Sequence, residues 1–219
     1  MEIHPIAHIE NNYKELFGIP RQSGITEAVK SRVVFEKEYS DKNAFREIET
    51  FSHLWLIWAF DKADKKEWTP TVRPPKLGGN RRVGVFASRS PYRPNKLGLS
   101  CVKLGHVEYT ESGVVMYIFG ADLADGTPVF DVKPYIPYSD SHPDALPGYS
   151  VRPDSKEYSV VFSPDITIDK KTADEITEIL SLDPRPGYKD DEKIYKMAYG
   201  EKTISFSWQE NVIFVLKYC

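Results

Sequence analysis

Cysteine is scarce: only Cys101 and Cys219 occur among 219 residues. Two thiols so far apart form neither a metal knuckle nor a disulfide framework, so a reducing cytoplasm is the expected compartment. Long apolar runs are missing as well. The longest, residues 54–60 (LWLIWAF), is far short of a bilayer span and suits a buried strand. The opening residues, MEIHPIAHIE, have neither the basic start nor the apolar stretch of a signal peptide. Gly78, Gly79 and Gly84 have the wrong spacing for a dinucleotide fingerprint or a P-loop, and HExxH, GxSxG and CxxC are absent. The histidines, at positions 4, 8, 53, 106 and 142, lack ligand spacing, so no metal site is read.

One absence is local. Between Trp68 and Val107 there is no Asp or Glu, yet eight of the 29 Lys and Arg residues lie there, leaving 21 against 32 acidic residues elsewhere. A solvated surface would mix the signs. The interior of this stretch also carries Gly84, Pro91, Pro94 and Gly98 among Arg89, Arg93 and Lys96. Fixed turns that carry guanidinium groups suit an anionic ligand, because Arg offers a rigid fork to phosphate or carboxylate. With a sequence pI near 6.0, the chain does not coat nucleic acid indiscriminately, but one basic surface permits a local contact.

What is present is strand-and-turn text. Residues 32–37, 54–60, 82–88, 99–106, 114–120 and 129–136 are short apolar runs separated by Gly, Pro, Asn, Asp and Ser, which predicts strands. The last alternates until Pro134, so it is read as an edge strand or as one that ends there. Residues 45–51 suggest a short helix. Residues 169–182 predict a longer one, capped by Asp169, with Ala173, Ile176, Ile179 and Leu180 on one stripe. Residues 157–162 predict a strand, and 203–208 with 212–218 a hairpin. The fold class expected is mainly β: a β-barrel domain over residues 1–140 and a small α+β domain over 155–219.

Three polar, turn-rich segments exceed what core packing needs: GVFASRSPYRPNKLGLS, ADLADGTPVFDVKPYIPY and DPRPGY. Asp131 and Lys133 stand two apart on one strand, on the same face, where an ordinary ion pair would look identical to a functional pair. His53, just ahead of the most apolar strand, gets no catalytic role from chemistry alone. Arg185, between two prolines, is read either as presented to RNA or as a docking salt bridge. If the tail only holds RNA, removing residues 163–219 leaves cofactor binding intact.

GVFASRSPYRPNKLGLS, DGTPVFDVKPYIPYSD, the upstream FSHLW, TVRPPKLGGN and the tail's DPRPGY together resemble the TsaA-like, or TrmO, family over nearly the whole chain. The resemblance implies an S-adenosylmethionine-dependent tRNA methyltransferase acting on N6 of threonylcarbamoyladenosine beside the anticodon. It implies a β-barrel and a homodimer with the cofactor, S-adenosyl-L-methionine, near the subunit interface. Carried onto this sequence, it assigns cofactor contacts to Asn11, Asn12, Tyr13, Ser52, His53, Arg89, Leu99, Gly120, Ala121, Asp122 and Leu123. Arg89 suits the methionine carboxylate, Tyr13 and Leu99 would cover the purine, and Asp122 would take ribose hydroxyls or the amino group. Arg93 and Lys96 are assigned to tRNA phosphates, and Lys133 and Tyr135 to holding the substrate. Asp131 is the candidate base, with a purely structural Asp131–Lys133 pair left open. The rival readings are a non-enzymatic RNA-binding β-barrel that grips the tRNA anticodon region without chemistry, and a cofactor-using enzyme acting on a small anionic metabolite.

Overall fold

The computed structural model describes residues 2–63, 67–74, 77, 80–150, 158–185 and 193–219. Six antiparallel strands close a barrel: β1 (Ala7–Glu10), β2 (Lys30–Phe35), β3 (His53–Ala59), β6 (Leu97–Tyr109), β7 (Val114–Phe119) and β8 (Pro128–Pro134). Their order around the barrel is β1-β2-β7-β6-β3-β8, and β8 returns to β1. Period-two alternation decides which side chains go inside. Leu54, Leu56 and Trp58 of β3 fill the barrel with Val33, Phe35, Met116, Ile118 and Val129. Trp55 and Ile57 consequently face outward, where the register sets Trp55 opposite Cys101 and Ile57 opposite Leu99. Two short strands, β4 (Thr71–Val72) and β5 (Val83–Gly84), make a separate hairpin within the basic stretch.

The second domain is a sheet of order β10-β11-β12-β9 covered by a helix. Its elements are β9 (Ser159–Phe162), α2 (Lys170–Ser181), β10 (Tyr195–Tyr199), β11 (Lys202–Gln209) and β12 (Val212–Tyr218); the first helix, α1, is one turn, Pro137–Asp140. The Asp169 side chain accepts from Thr172 N at 3.0 Å and caps α2. Ile176, Ile179 and Leu180 bury the helix's apolar stripe on the sheet. The mainly β class, with its barrel and its small α+β tail, is borne out.

Several elements differ from expectation. Residues 82–88 are not one strand, because after β5 the chain turns through a 3-10 turn at Val85–Ala87, closed by the Ser88 hydroxyl donating to Val85 O. Residues 45–51 form no α-helix; the segment holds the end of one short 3-10 helix, Lys42–Phe45, and all of another, Ile48–Thr50, separated by Glu47 at φ 64°. β8 does end at Pro134 but is not an edge, since it pairs with both β1 and β3. Pro128 and Pro134 occupy its first and last positions, where the missing N–H breaks little of the ladder. The closing partner β1 is four residues long and was not expected, nor was β10. Residue 157 of the expected strand 157–162, residues 155–157 of the expected second domain, and Pro186–Gly187–Tyr188 of DPRPGY lie outside the described residues. Among the described residues no helix is long and apolar enough to cross a membrane.

Candidate active site

The site begins with a strand that outruns its neighbour. β6 pairs with β3 over Leu97–Lys103 and with β7 only from Lys103 onward. Before Lys103, the edge of β6 facing away from β3 has no strand partner among the described residues. Loops take that place. Ser23 Oγ accepts from Cys101 N at 3.2 Å, and Gly24 N donates to Gly120 O at 2.9 Å. Gly120 sits at φ 75°, and a Cβ there would lie 3.2 Å from the Gly24 backbone, so the close approach of the two loops needs glycine.

Polar groups converge on this open edge. The indole of Trp58 donates to Ser100 Oγ at 2.9 Å, and the Ser100 hydroxyl donates to Asp122 Oδ1 at 2.5 Å. Burial pushes the Asp122 carboxyl above the ordinary carboxylate range, partly countered by the Ser100 hydroxyl and the nearby Arg89 charge. Arg89 itself donates to Gln22 Oε1. A carboxyl with a raised folded pKa costs stability when ionised: the cost is absent below the unfolded pKa and appears as pH rises through the folded one. Asp122→Asn is therefore expected to melt higher than the parent chain at neutral pH and to match it in acid. Thermal melts across pH check this, and a gain that persists in acid would reject it.

The other assigned residues fall into three places. Asn11 is a brace: its amide nitrogen donates to Ser31 Oγ at 3.1 Å and Leu123 O at 2.9 Å, and its oxygen accepts from Tyr13 N at 2.9 Å. Asn12 O accepts from Gly200 N at 2.9 Å, tying the same turn to the second domain. Tyr13 is only 2% exposed, packed edge-on to Tyr199 in the second core. Its ring is therefore not available to cover a purine, and that expectation is corrected. Ala121 and Leu123 are buried too, so a ligand can reach them only through backbone, of which Leu123 O already accepts from Asn11.

Ser52 and His53 lie at the rim where β7 stops, because the register runs His53–Lys103–Phe119. Ser52 Oγ and His53 Nδ1 are 2.9 Å apart. Tyr135 joins them: its N–H donates to His53 O at 3.0 Å, and its ring lies 6.2 Å from His53 and 5.7 Å from Trp55. Asp140 anchors this group, accepting from Trp55 Nε1 at 3.0 Å and Ile136 N at 2.8 Å. The Ile136 N–H and the Trp55 indole hold its carboxyl below the ordinary range.

On the barrel's outer face Lys133 Nζ lies 2.9 Å from Asp131 Oδ2, so the ion pair anticipated as one alternative does form. Leu99 is 55% exposed on that face, opposite Ile57. Arg93 braces its own loop, donating to Ser88 O at 3.1 Å. Lys96 lies just ahead of β6, where its carbonyl accepts from Phe60 N at 2.9 Å. Arg185 is not presented to solvent: it is 5% exposed and forks onto Asp183 at 2.6 and 2.7 Å.

Sequence reasoning missed Gln22, Ser23, Gly24, Ser100 and Asp140. The signal for the first three was faint: polar residues bracketed by Pro20 and Gly24. A groove of about 490 Å³ between barrel and helix, lined by Asn11, Asn12, Lys30 and Tyr117 among others, is a weaker candidate. Its Lys14, Arg32 and Lys171 are already paired with Asp125, Glu10 and Glu175. Among the described residues no group of His, Cys, Asp and Glu is arranged to hold a metal ion.

The model of the tRNA-methyltransferase O N-terminal domain matches residues 8–141, and that of the TrmO C-terminal domain matches 155–218. The chain belongs to the TrmO family. A tRNA (adenine(37)-N6)-methyltransferase of Escherichia coli K12 is 39% identical over 203 residues, 89% of this chain and 86% of its own. A Pyrococcus abyssi protein described as S-adenosyl-L-methionine-binding is 37% identical over 136 residues, 62% of this chain and 68% of its own. The solved TrmO of Pseudomonas aeruginosa superposes with a TM-score of 0.80 at 28% identity, covering 100% of this chain and 97% of that one. TrmO membership thus spans both domains, and the open edge of β6 lies inside the matched N-terminal part.

Proposed function

We propose that the chain transfers a methyl group from S-adenosylmethionine to N6 of adenosine 37 in tRNA, in its threonylcarbamoyl-modified form. The observation that carries the reading is the convergence of Arg89, Asp122 and a main-chain edge at Leu97–Val102 that β7 does not reach, in a TrmO-family chain. That donor set fits the cofactor. A guanidinium answers the methionine carboxylate, a carboxylate answers ribose hydroxyls or the ammonium, and main-chain groups answer a purine edge. Gly120 to Leu123, Asn11 and Asn12 support the ligand through backbone, with Ser52, His53 and Leu99 flanking it.

The bound cofactor supplies an electrophilic methyl on a sulfonium. The chain's own work is alignment and exclusion of water. Tyr135, backed by Trp55 and His53, offers an aromatic face for the base, and Lys133 a cation for the substrate. Asp131 would take the N6 proton, its carboxylate acting as base. Arg93 and Lys96 meet tRNA phosphates, together with the hairpin of β4 and β5, beyond which Phe86 stands 75% exposed. The double variant Arg93→Ala, Lys96→Ala is expected to flatten the salt dependence of tRNA binding while leaving cofactor affinity in place, because fewer counterions are released. An unaltered slope would remove both residues from the phosphate contact.

The active unit proposed is a homodimer. Trp55, Ile57, Leu97, Leu99 and Cys101 make an apolar outer face on β3 and β6, with Leu97 37% and Leu99 55% exposed. A second copy of this chain is its natural cover, since two-fold symmetry brings the patch onto itself beside both cofactor sites. Sedimentation at assay concentrations is expected to give a dimer, and a fully active monomer would refute the interface. The cytoplasm, where tRNA is matured, is the compartment proposed.

The deciding experiment is nucleoside mass spectrometry of tRNA from a deletion strain, with and without this chain restored. The methylated nucleoside should disappear and return. A chain that binds tRNA but no S-adenosylmethionine would favour the non-enzymatic barrel instead.

A further inference from the structure

Residues 11–29 join β1 to β2 as a strap without regular secondary structure. On one side the strap builds the cofactor site: Gln22 meets Arg89, Ser23 meets Cys101, and Gly24 meets Gly120. On the other side it is packed into the second domain. Tyr13 and Val29 belong to that domain's buried core, and Phe17 stacks on Tyr195 and Phe206 at 6.2 and 6.3 Å. Gly18, at φ 93°, lies so close to Met197 that a Cβ would overlap its thioether.

Glu178 of α2 completes the clamp. Its two carboxylate oxygens accept from Glu27 N at 2.7 Å and Ala28 N at 2.5 Å, the residues that follow the Gln22–Gly24 turn and Thr26. Both are main-chain bonds to a charged acceptor, the stronger class of hydrogen bond. Ordering a strap of this length costs conformational entropy, which contacts from both domains offset. The second domain contributes apolar contact and the Glu178 carboxylate.

We propose that the C-terminal domain positions the cofactor site, with Glu178 as the positioning residue that holds the Gln22–Gly24 turn against β6. This rests on the reading that the turn belongs to the S-adenosylmethionine site. It reverses the expectation that the tail is dispensable for cofactor binding, and it makes cofactor affinity depend on a helix that touches no ligand.

The test uses the full chain and calorimetry with S-adenosylmethionine alone, without tRNA. Glu178→Ala is expected to weaken cofactor binding about tenfold, as lost charged hydrogen bonds predict. Glu178→Gln, which keeps one acceptor, should fall between. Amide exchange at Cys101 should accelerate in Glu178→Ala, because its partner Ser23 is no longer held. A folded Glu178→Ala whose affinity stays within about twofold of the parent, a difference small on the affinity scale, overturns the proposal. If that variant does not fold, Glu178→Gln decides by the same criterion. A parent chain that binds no S-adenosylmethionine would instead reject the proposed function, so the two failures are distinguishable.

Discussion

Arg185→Ala is expected to destabilise the C-terminal domain by about 3 kcal/mol, the lower end for removing one partner of a buried ion pair. The guanidinium is almost fully enclosed, whereas Asp183 keeps 23% of its side-chain surface, so the stranded carboxylate recovers some hydration. Stacking is lost too, because the guanidinium carbon lies 3.1 Å from the centroid of the Trp208 ring. The backbone around it serves the domain junction, with Arg21 Nη2 donating to Arg185 O at 2.8 Å. For a chain of this length the loss corresponds to a drop of roughly 6–12 °C in Tm. Melting followed by tryptophan fluorescence reads it directly. A shift below roughly 2 °C would show that the pair contributes little.

The second large effect concerns Arg89. Arg89→Ala is expected to weaken S-adenosylmethionine binding by roughly 1.5–3 kcal/mol, the scale of hydrogen bonds to charged groups. The loss should deepen as pH falls, since the Arg89 charge is one of the influences that keep Asp122 ionised against burial. Arg89→Lys restores the charge without the fork and should recover only part of the affinity. Calorimetry of the folded variants at two pH values is the measurement. Unchanged affinity would assign Arg89 to the tRNA.

The sequence was most legible where local chemistry and tertiary packing agree. LWLIWAF reads as a strand and is one; Asp169 reads as a cap and accepts from Thr172 N. It was least legible where partners are far away. β1 is only AHIE, four residues with no signal of their own, yet it closes the barrel by pairing with β2 and β8. Residues 82–88 have apolar content enough for a strand, but Ser88 folds back onto Val85 and ends it. Arg185 was read as either presented or held in a salt bridge, and nothing nearby in sequence announces Trp208.

The site divides in the same way. Asp122 came from the family resemblance, while Arg89 stood out as a charge within fixed turns. The Gln22–Gly24 turn did not, because its contacts are mostly single hydrogen bonds to backbone, which many residue types make. The purine-covering role given to Tyr13 came from the resemblance, whereas its ring packs on Tyr199, near the other end of the chain.

That separation orders events during synthesis. All six barrel strands have been synthesised once Pro134 is added, and the barrel closes through long-range pairings such as β1 with β8. Phe17 and Tyr13 must then wait, exposed, for Tyr199 and Phe206. A nascent or prematurely ended chain thus carries a closed barrel with an undocked, sticky strap, and only the finished polypeptide can seat it.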